Sequence, residues 1–177
     1  MKTTRIKRKV LDKQLVTANS ITCGKDNTAS LGCRFYDLEG GEVATVFIAG
    51  KIHEGHNNIM HGGLSGAVLD EVMGRSTLNC ILSEPEEAQP RYVTAEMTVK
   101  YKKPIEVGKK MYAYGRVEHA EGRCCYATSE IVDESGEIMS TASGVYVEVD
   151  VPSEESDDYR KYNKSREELS GDDPEIL

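Results

Sequence analysis

The run Met60-His61-Gly62-Gly63-Leu64-Ser65-Gly66-Ala67-Val68-Leu69-Asp70-Glu71 puts two chemical parts on what reads as the first turns of one helix. Its start carries almost no side-chain bulk, so a ligand oxygen can approach the bare N–H groups of Gly62 and Gly63. The helix dipole favours negative charge at that point. Asp70 lies nine residues after His61 and shares a stripe with Gly63, Gly66, Ala67 and Gly74. An anion site and a carboxylate set in a small, apolar surface are parts needed to hydrolyse an ester or thioester. Asp70 would serve as a base on water or attack the carbonyl directly.

Other side chains compete for a role. Glu71 is a second candidate carboxylate, about 100° around the helix from Asp70. It stands four residues before Arg75, an orientation that favours a surface or interface ion pair. His53, His56 and His61 have the spacing of a loop zinc site, but no cysteine or carboxylate arrangement strengthens it beyond Glu54, and the expectation is no metal and no cofactor. His61 is expected to orient the helix start through a ring-to-backbone bond. Lys102, Lys103 and Arg123 are cations able to make charge-assisted contacts with phosphate.

These groups need a frame. The chain has 177 residues, 38% hydrophobic and 29% charged, which suits one folded domain with an appendage. A formal charge of -8 argues against nonspecific nucleic-acid binding. No apolar run approaches a membrane span and no secretory h-region follows the basic start, so a cytoplasmic protein is expected. Five cysteines without a C-x-x-C fit reduced thiols. Three regions are expected: an N-terminal extension over 1–30 with a possible short helix from Val10 to Ala18, a domain over 31–149, and an acidic tail over 150–177. Residues 1–13 hold six Lys or Arg, and 150–177 hold ten acidic groups against four basic ones. Both ends read as solvated tails; the sharper alternative is that the basic end meets a phosphate ligand or the acidic tail.

Within the domain, strands are predicted over 31–38 and 42–49, joined at Gly40-Gly41. A loop over 50–60 precedes a helix over 61–82, ended by Pro85 among Glu84, Glu86 and Glu87. Four strands follow between 91 and 149. In the first of these, Val93, Ala95, Met97, Val99 and Tyr101 face one way, and Thr94, Glu96, Thr98 and Lys100 the other. The order β-β-α-β-β-β-β is α+β, a long helix covered by a curved antiparallel sheet. Gly66 and Gly74 inside the helix suggest close helix–sheet approach.

This order, with His61-Gly62-Gly63 at the helix start and Leu69-Asp70 following, resembles the hotdog-fold thioesterases, in particular the phenylacetate-degradation type. Tyr101-Lys102-Lys103-Pro104-Ile105-Glu106-Val107-Gly108 resembles that family's Y-x-x-P-x-x-x-G turn. The resemblance covers roughly residues 30–149. It implies hydrolysis of acyl-CoA or a related pantetheine thioester, in homodimers or dimers of dimers with the site between protomers. It assigns the oxyanion donor to the Gly62 N–H and the acid to Asp70. It gives the hydroxyl of Thr94, ten residues before Pro104, a part in holding the attacking water. Several members have Asn or Gln six residues before the histidine; Gly55 stands there, so Asn57 or Asn58 would have to substitute. Lys102, Lys103 and Arg123 would then meet coenzyme A phosphates. Two rivals remain: a non-catalytic acyl-CoA-binding or regulatory hotdog protein, and a hotdog dehydratase, which the H-G-G helix fits less well.

Overall fold

The computed structural model describes residues 1–81, 91–149 and 166–177. Its ten strands and one long helix run in chain order as β1 Val10–Gln14, β2 Arg34–Leu38, β3 Val43–Ile48, β4 Glu54–His56, β5 Ile59–Met60, α1 Gly62–Ile81, β6 Arg91–Tyr101, β7 Lys110–Glu121, β8 Cys124–Asp133, β9 Ile138–Val149 and β10 Arg166–Glu167. Eight strands form one antiparallel sheet in the order β10-β1-β2-β3-β7-β8-β9-β6, with β4 and β5 as a separate hairpin. The sheet curls around α1, whose Val68, Leu69, Val72 and Met73 are wholly buried. Each such side chain contributes about 1.5–3 kcal/mol of burial free energy. This is the hotdog fold.

The β2–β3 turn forms as its glycines predict. Gly40 and Gly41 hold φ of 87° and 78°, conformations that L side chains rarely adopt. Tight approach between helix and sheet is found on the strand side. A Cβ on Gly115 of β7 would lie 2.3 Å from the Val72 carbonyl oxygen and 2.8 Å from the Met73 nitrogen. At Gly66, by contrast, a Cβ would meet only the Tyr101 hydroxyl at 3.7 Å and a Met97 methyl at 3.9 Å, ordinary contact.

The N-terminal region differs from expectation. Residues 10–14 form strand β1 instead of opening a helix, pairing with β2 and, through Lys13 opposite Glu167, with β10. The sheet therefore extends beyond residues 31–149 in both directions. Val10 and Gln14 are buried while Leu11 and Asp12 are exposed. Pairing with the free edge of β2 decided the conformation, overriding a weak local helical preference. The basic end meets the acidic end: Lys13 Nζ lies 3.2 Å from Asp173, and Arg8 pairs in backbone with Leu177. Arg5 and Arg8 both pair with buried Glu42. The expected helix terminator around Pro85 lies outside the described residues.

Cys23, Cys33 and Cys125 are buried free thiols, and burial pushes the Cys33 thiol up to about 12. No helix among the described residues is long and apolar enough to cross a membrane.

Candidate active site

The helix start is held from three sides. The His61 carbonyl accepts from the N–H groups of Leu64 (3.0 Å) and Ser65 (3.3 Å), and His61 Nδ1 accepts from the Gly63 N–H at 2.9 Å. The ring thus caps the helix in the way Ser or Asp usually does. Gly63 is taken by this cap, which leaves the Gly62 N–H as the first-turn donor without a partner among the described residues. From the second side, Tyr101 donates its hydroxyl to the Gly62 carbonyl at 2.9 Å. From the third, the segment before the helix docks on the turn after β6. Met60 N–H bonds Ile105 O, Val107 N–H bonds Asn58 O, and Gly108, at φ 83°, bonds Ala49 O. The two sequence motifs are thereby parts of one support.

Asn57 and Asn58 sit exposed at the β4–β5 turn, with Asn58 at φ 61°. Their described bonds are backbone ones, to His56 Nδ1 and Glu54, so neither side chain is held toward Gly62. Gly55 itself has no room for a side chain, since a Cβ there would lie 2.7–2.9 Å from His61 atoms. The three histidines do not converge. His53 is buried, accepting from Gly50 N–H at 2.8 Å and bonding Ala29 O at 3.1 Å, while His56 and His61 each bond a neighbouring backbone N–H.

Asp70 is only partly buried. Its Oδ1 accepts from Thr94 Oγ1 at 2.8 Å and from the Tyr146 hydroxyl at 2.8 Å, and Tyr146 also bonds the Asp70 backbone carbonyl at 2.9 Å. The alternation of β6 predicts Thr94 on the face opposite Met97 and Val99. The structure turns it to the helix side by a bulge: Thr94 opposes Tyr146 and Glu96 opposes Val145, leaving Ala95 unmatched. One extra residue reverses the facing of everything before it. Tyr146, to which the sequence alone assigns no role, is 2% exposed. Its ring is framed by glycines; a Cβ would come within 3.4 Å of it from Gly74 and 3.2 Å from Gly144. That Gly-x-Tyr spacing in the last strand was the only local signal. Burial, and next the nearby Asp70 carboxylate, raise the Tyr146 pKa, so the phenol stays a donor.

Glu71 is held elsewhere. Arg75 Nε reaches its Oε1 at 2.8 Å and Thr22 its Oε2 at 3.3 Å. Arg75 is 6% exposed, bonds Gln14 Oε1 and Leu15 O, and stacks over Phe35 at 4.1 Å. The expected Glu71–Arg75 pair forms, and with buried Arg75 it ties α1 to the N-terminal region. The cations also separate. Lys102 and Lys103 follow β6 beside Met139, with Lys103 paired to Glu137 at 2.6 Å. Arg123 lies by Glu148, which is opposite Tyr92 at the other end of β6. Nine residues of strand, about 30 Å, divide them, so one phosphate cluster cannot use all three within a protomer.

The same ruler applies to the helix. Gly62 and Asp70 are eight residues apart, about 12 Å along the axis. One carbonyl cannot touch both groups of a single chain. Both groups face β6, where Tyr101 covers Gly62 and Thr94 bonds Asp70, and β6 is one of the two edge strands of the sheet among the described residues.

Comparison with known proteins accords with this geometry. The thioesterase superfamily pattern matches residues 57–140. The chain is 24% identical over 139 residues to a Xenopus laevis protein named acyl-coenzyme A thioesterase THEM4; the match covers 78% of this chain and spans only 58% of that relative's length. Among solved structures, the E. coli PaaI protein from the phenylacetic acid degradation operon superposes with a TM-score of 0.59 at 15% identity, covering 68% of this chain and 81% of that one. A Streptococcus mutans protein solved with acetyl-CoA bound superposes with a TM-score of 0.55 at 14% identity, covering 66% and 88%. With a hotdog sheet and a glycine-opened central helix, the chain shares its fold with these proteins, and its residues 57–140 carry the thioesterase superfamily pattern.

Proposed function

We propose that the protein hydrolyses an acyl-CoA or related pantetheine thioester, in a site shared by two copies of the chain. The observation that carries this is the joint placement of a first-turn donor at Gly62 and a hydroxyl-supported carboxylate at Asp70 along the edge strand β6. The named activity of the Xenopus relative and the acetyl-CoA bound by the Streptococcus protein support the substrate class.

A two-fold axis near Met97–Thr98 would pair β6 with its copy antiparallel and set Thr94 against Tyr101 of the partner subunit. Because Thr94 marks Asp70 and Tyr101 marks Gly62, this pairing brings Asp70 of one protomer toward Gly62 of the other and closes an edge that is otherwise a liability. The thioester carbonyl oxygen rests on the Gly62 N–H at the positive helix end. Asp70 takes a proton from water as the water oxygen bonds to the carbonyl carbon. The tetrahedral intermediate collapses, the C–S bond breaks with its electron pair on sulfur, and the proton held by Asp70 passes to the thiolate. Exposed Lys102 is the cation best placed to meet a CoA phosphate, since Lys103 is engaged by Glu137.

A panel of short, long and aromatic acyl-CoAs followed with a thiol-trapping dye tests the activity. Saturable thiol release is expected for at least one class; tight binding without release would instead identify a non-catalytic binding protein. The shared site has its own test. Gly62→Pro removes the donor N–H at a first helical position where proline fits, and its Cβ would make ordinary contact with the Tyr101 ring at 3.5 Å. Gly62→Pro and Asp70→Asn homodimers are each expected to be inactive, and reassociating them 1:1 should recover about a quarter of wild-type activity, because each mixed dimer keeps one intact site. No recovery from verified mixed dimers would place both groups in one chain and end the shared-site reading.

A further inference from the structure

We propose that Tyr146 is a positioning residue of the active site: with Thr94 it pins Asp70 Oδ1 and thereby makes Oδ2 the oxygen that takes the proton. This rests on the reading of Asp70 as the base. A buried tyrosine hydroxyl needs some partner, and most find one in backbone. Tyr146 reaches both the backbone carbonyl and the carboxylate of one residue, at 2.9 and 2.8 Å. The single O–H proton of Tyr146 is shared between these two acceptors, which ties the aspartate side chain to its own backbone. Thr94 adds a bond to the same Oδ1 from the opposite strand, at 2.8 Å. Oδ2 has no partner among the described residues.

The consequence for the chemistry is directional. An oxygen that already accepts two hydrogen bonds is a poor proton acceptor, whereas the free one keeps its lone pairs available. A carboxylate able to rotate would present either oxygen and spend time in unproductive arrangements; a clamped one holds Oδ2 ready. The tyrosine is itself clamped. Its ring lies between Gly74 of α1 and Gly144 of β9, and its pKa is raised by burial and then by Asp70, so it remains a donor throughout the working pH range. Its backbone is opposite Thr94, so both donors belong to one cross-strand pair, and the bulge at Ala95 is what lets both face the helix.

The test is Tyr146→Phe, which removes one oxygen and keeps the ring. Thiol release should show kcat lowered about 10- to 100-fold with KM within about threefold of wild type, on a dimer with a similar melting temperature. In the Asp70→Asn background the same change should cost nothing further, because Tyr146 acts only through the carboxylate. A kcat within twofold of wild type for Tyr146→Phe, or an undiminished loss in the Asp70→Asn background, overturns the assignment. If Asp70→Asn itself releases thiol at the wild-type rate, the reading of Asp70 fails, and that outcome is separate from the first two.

Discussion

Asp70→Asn is expected to lower kcat for thiol release about 1,000-fold, equivalent to about 4 kcal/mol of barrier. The substitution is nearly isosteric. The amide oxygen can still accept from Thr94 and Tyr146, so the two 2.8 Å bonds that tie β6 and β9 to the helix survive. What is lost is the second carboxylate oxygen and its capacity to hold a proton. Melting temperature should therefore stay within a few degrees, and KM should change little, since acyl-CoA binding does not depend on that proton. Activity that survives the change would assign water activation to another group. Glu71 is poorly placed to replace it, being held by Arg75 and Thr22 where the helix meets the chain's N-terminal region.

The second large effect concerns stability. Gly115→Ala inserts a methyl group 2.3 Å from the Val72 carbonyl oxygen and 2.4 Å from its carbon. These are helix backbone atoms, which cannot swing aside as a flexible side chain can. Either α1 lifts off β7 or β7 bends, and the expected cost is about 3 kcal/mol or more. For a domain of this size that is a fall of about 6–12 °C in Tm by calorimetry. Gly66→Ala is the comparison. The added methyl there makes only ordinary contacts at 3.7 and 3.9 Å, while helix propensity favours alanine over glycine by about 1 kcal/mol. A Gly115→Ala protein as stable as wild type would mean that the helix does not press on the sheet at this point.

These predictions show which features were legible from residue types. The long helix, its capped start at His61, the glycine hairpin and the four long strands each follow from local periodicity or a turn residue. So does Asp70 as a carboxylate on a small-residue stripe. The support between the two motifs was not legible, because it depends on Met60, Asn58 and Ala49 meeting residues 105–108 across the fold. Thr94 illustrates the limit most sharply. Alternation assigns it to the outer face, and a single unmatched residue, Ala95, turns it inward. A bulge has no reliable signature in one strand, since it is a property of the pair. Strand β1 was missed for a related reason: Val10 to Gln14 have no strong preference of their own and take the conformation offered by the edge of β2.

The amino-acid sequence by itself determined which groups lie on one helix and in what order, because helical periodicity is local and puts Asp70 on the stripe of small residues that runs from Gly63 to Gly74. Only the tertiary structure decided what those groups touch. It gave Asp70 the hydroxyls of Thr94 and Tyr146, gave Glu71 to Arg75, and placed β6 as an edge strand beside both Gly62 and Asp70. Each of these depends on contacts between residues far apart in the chain, whose register is set by packing around the helix and not by any neighbour in sequence.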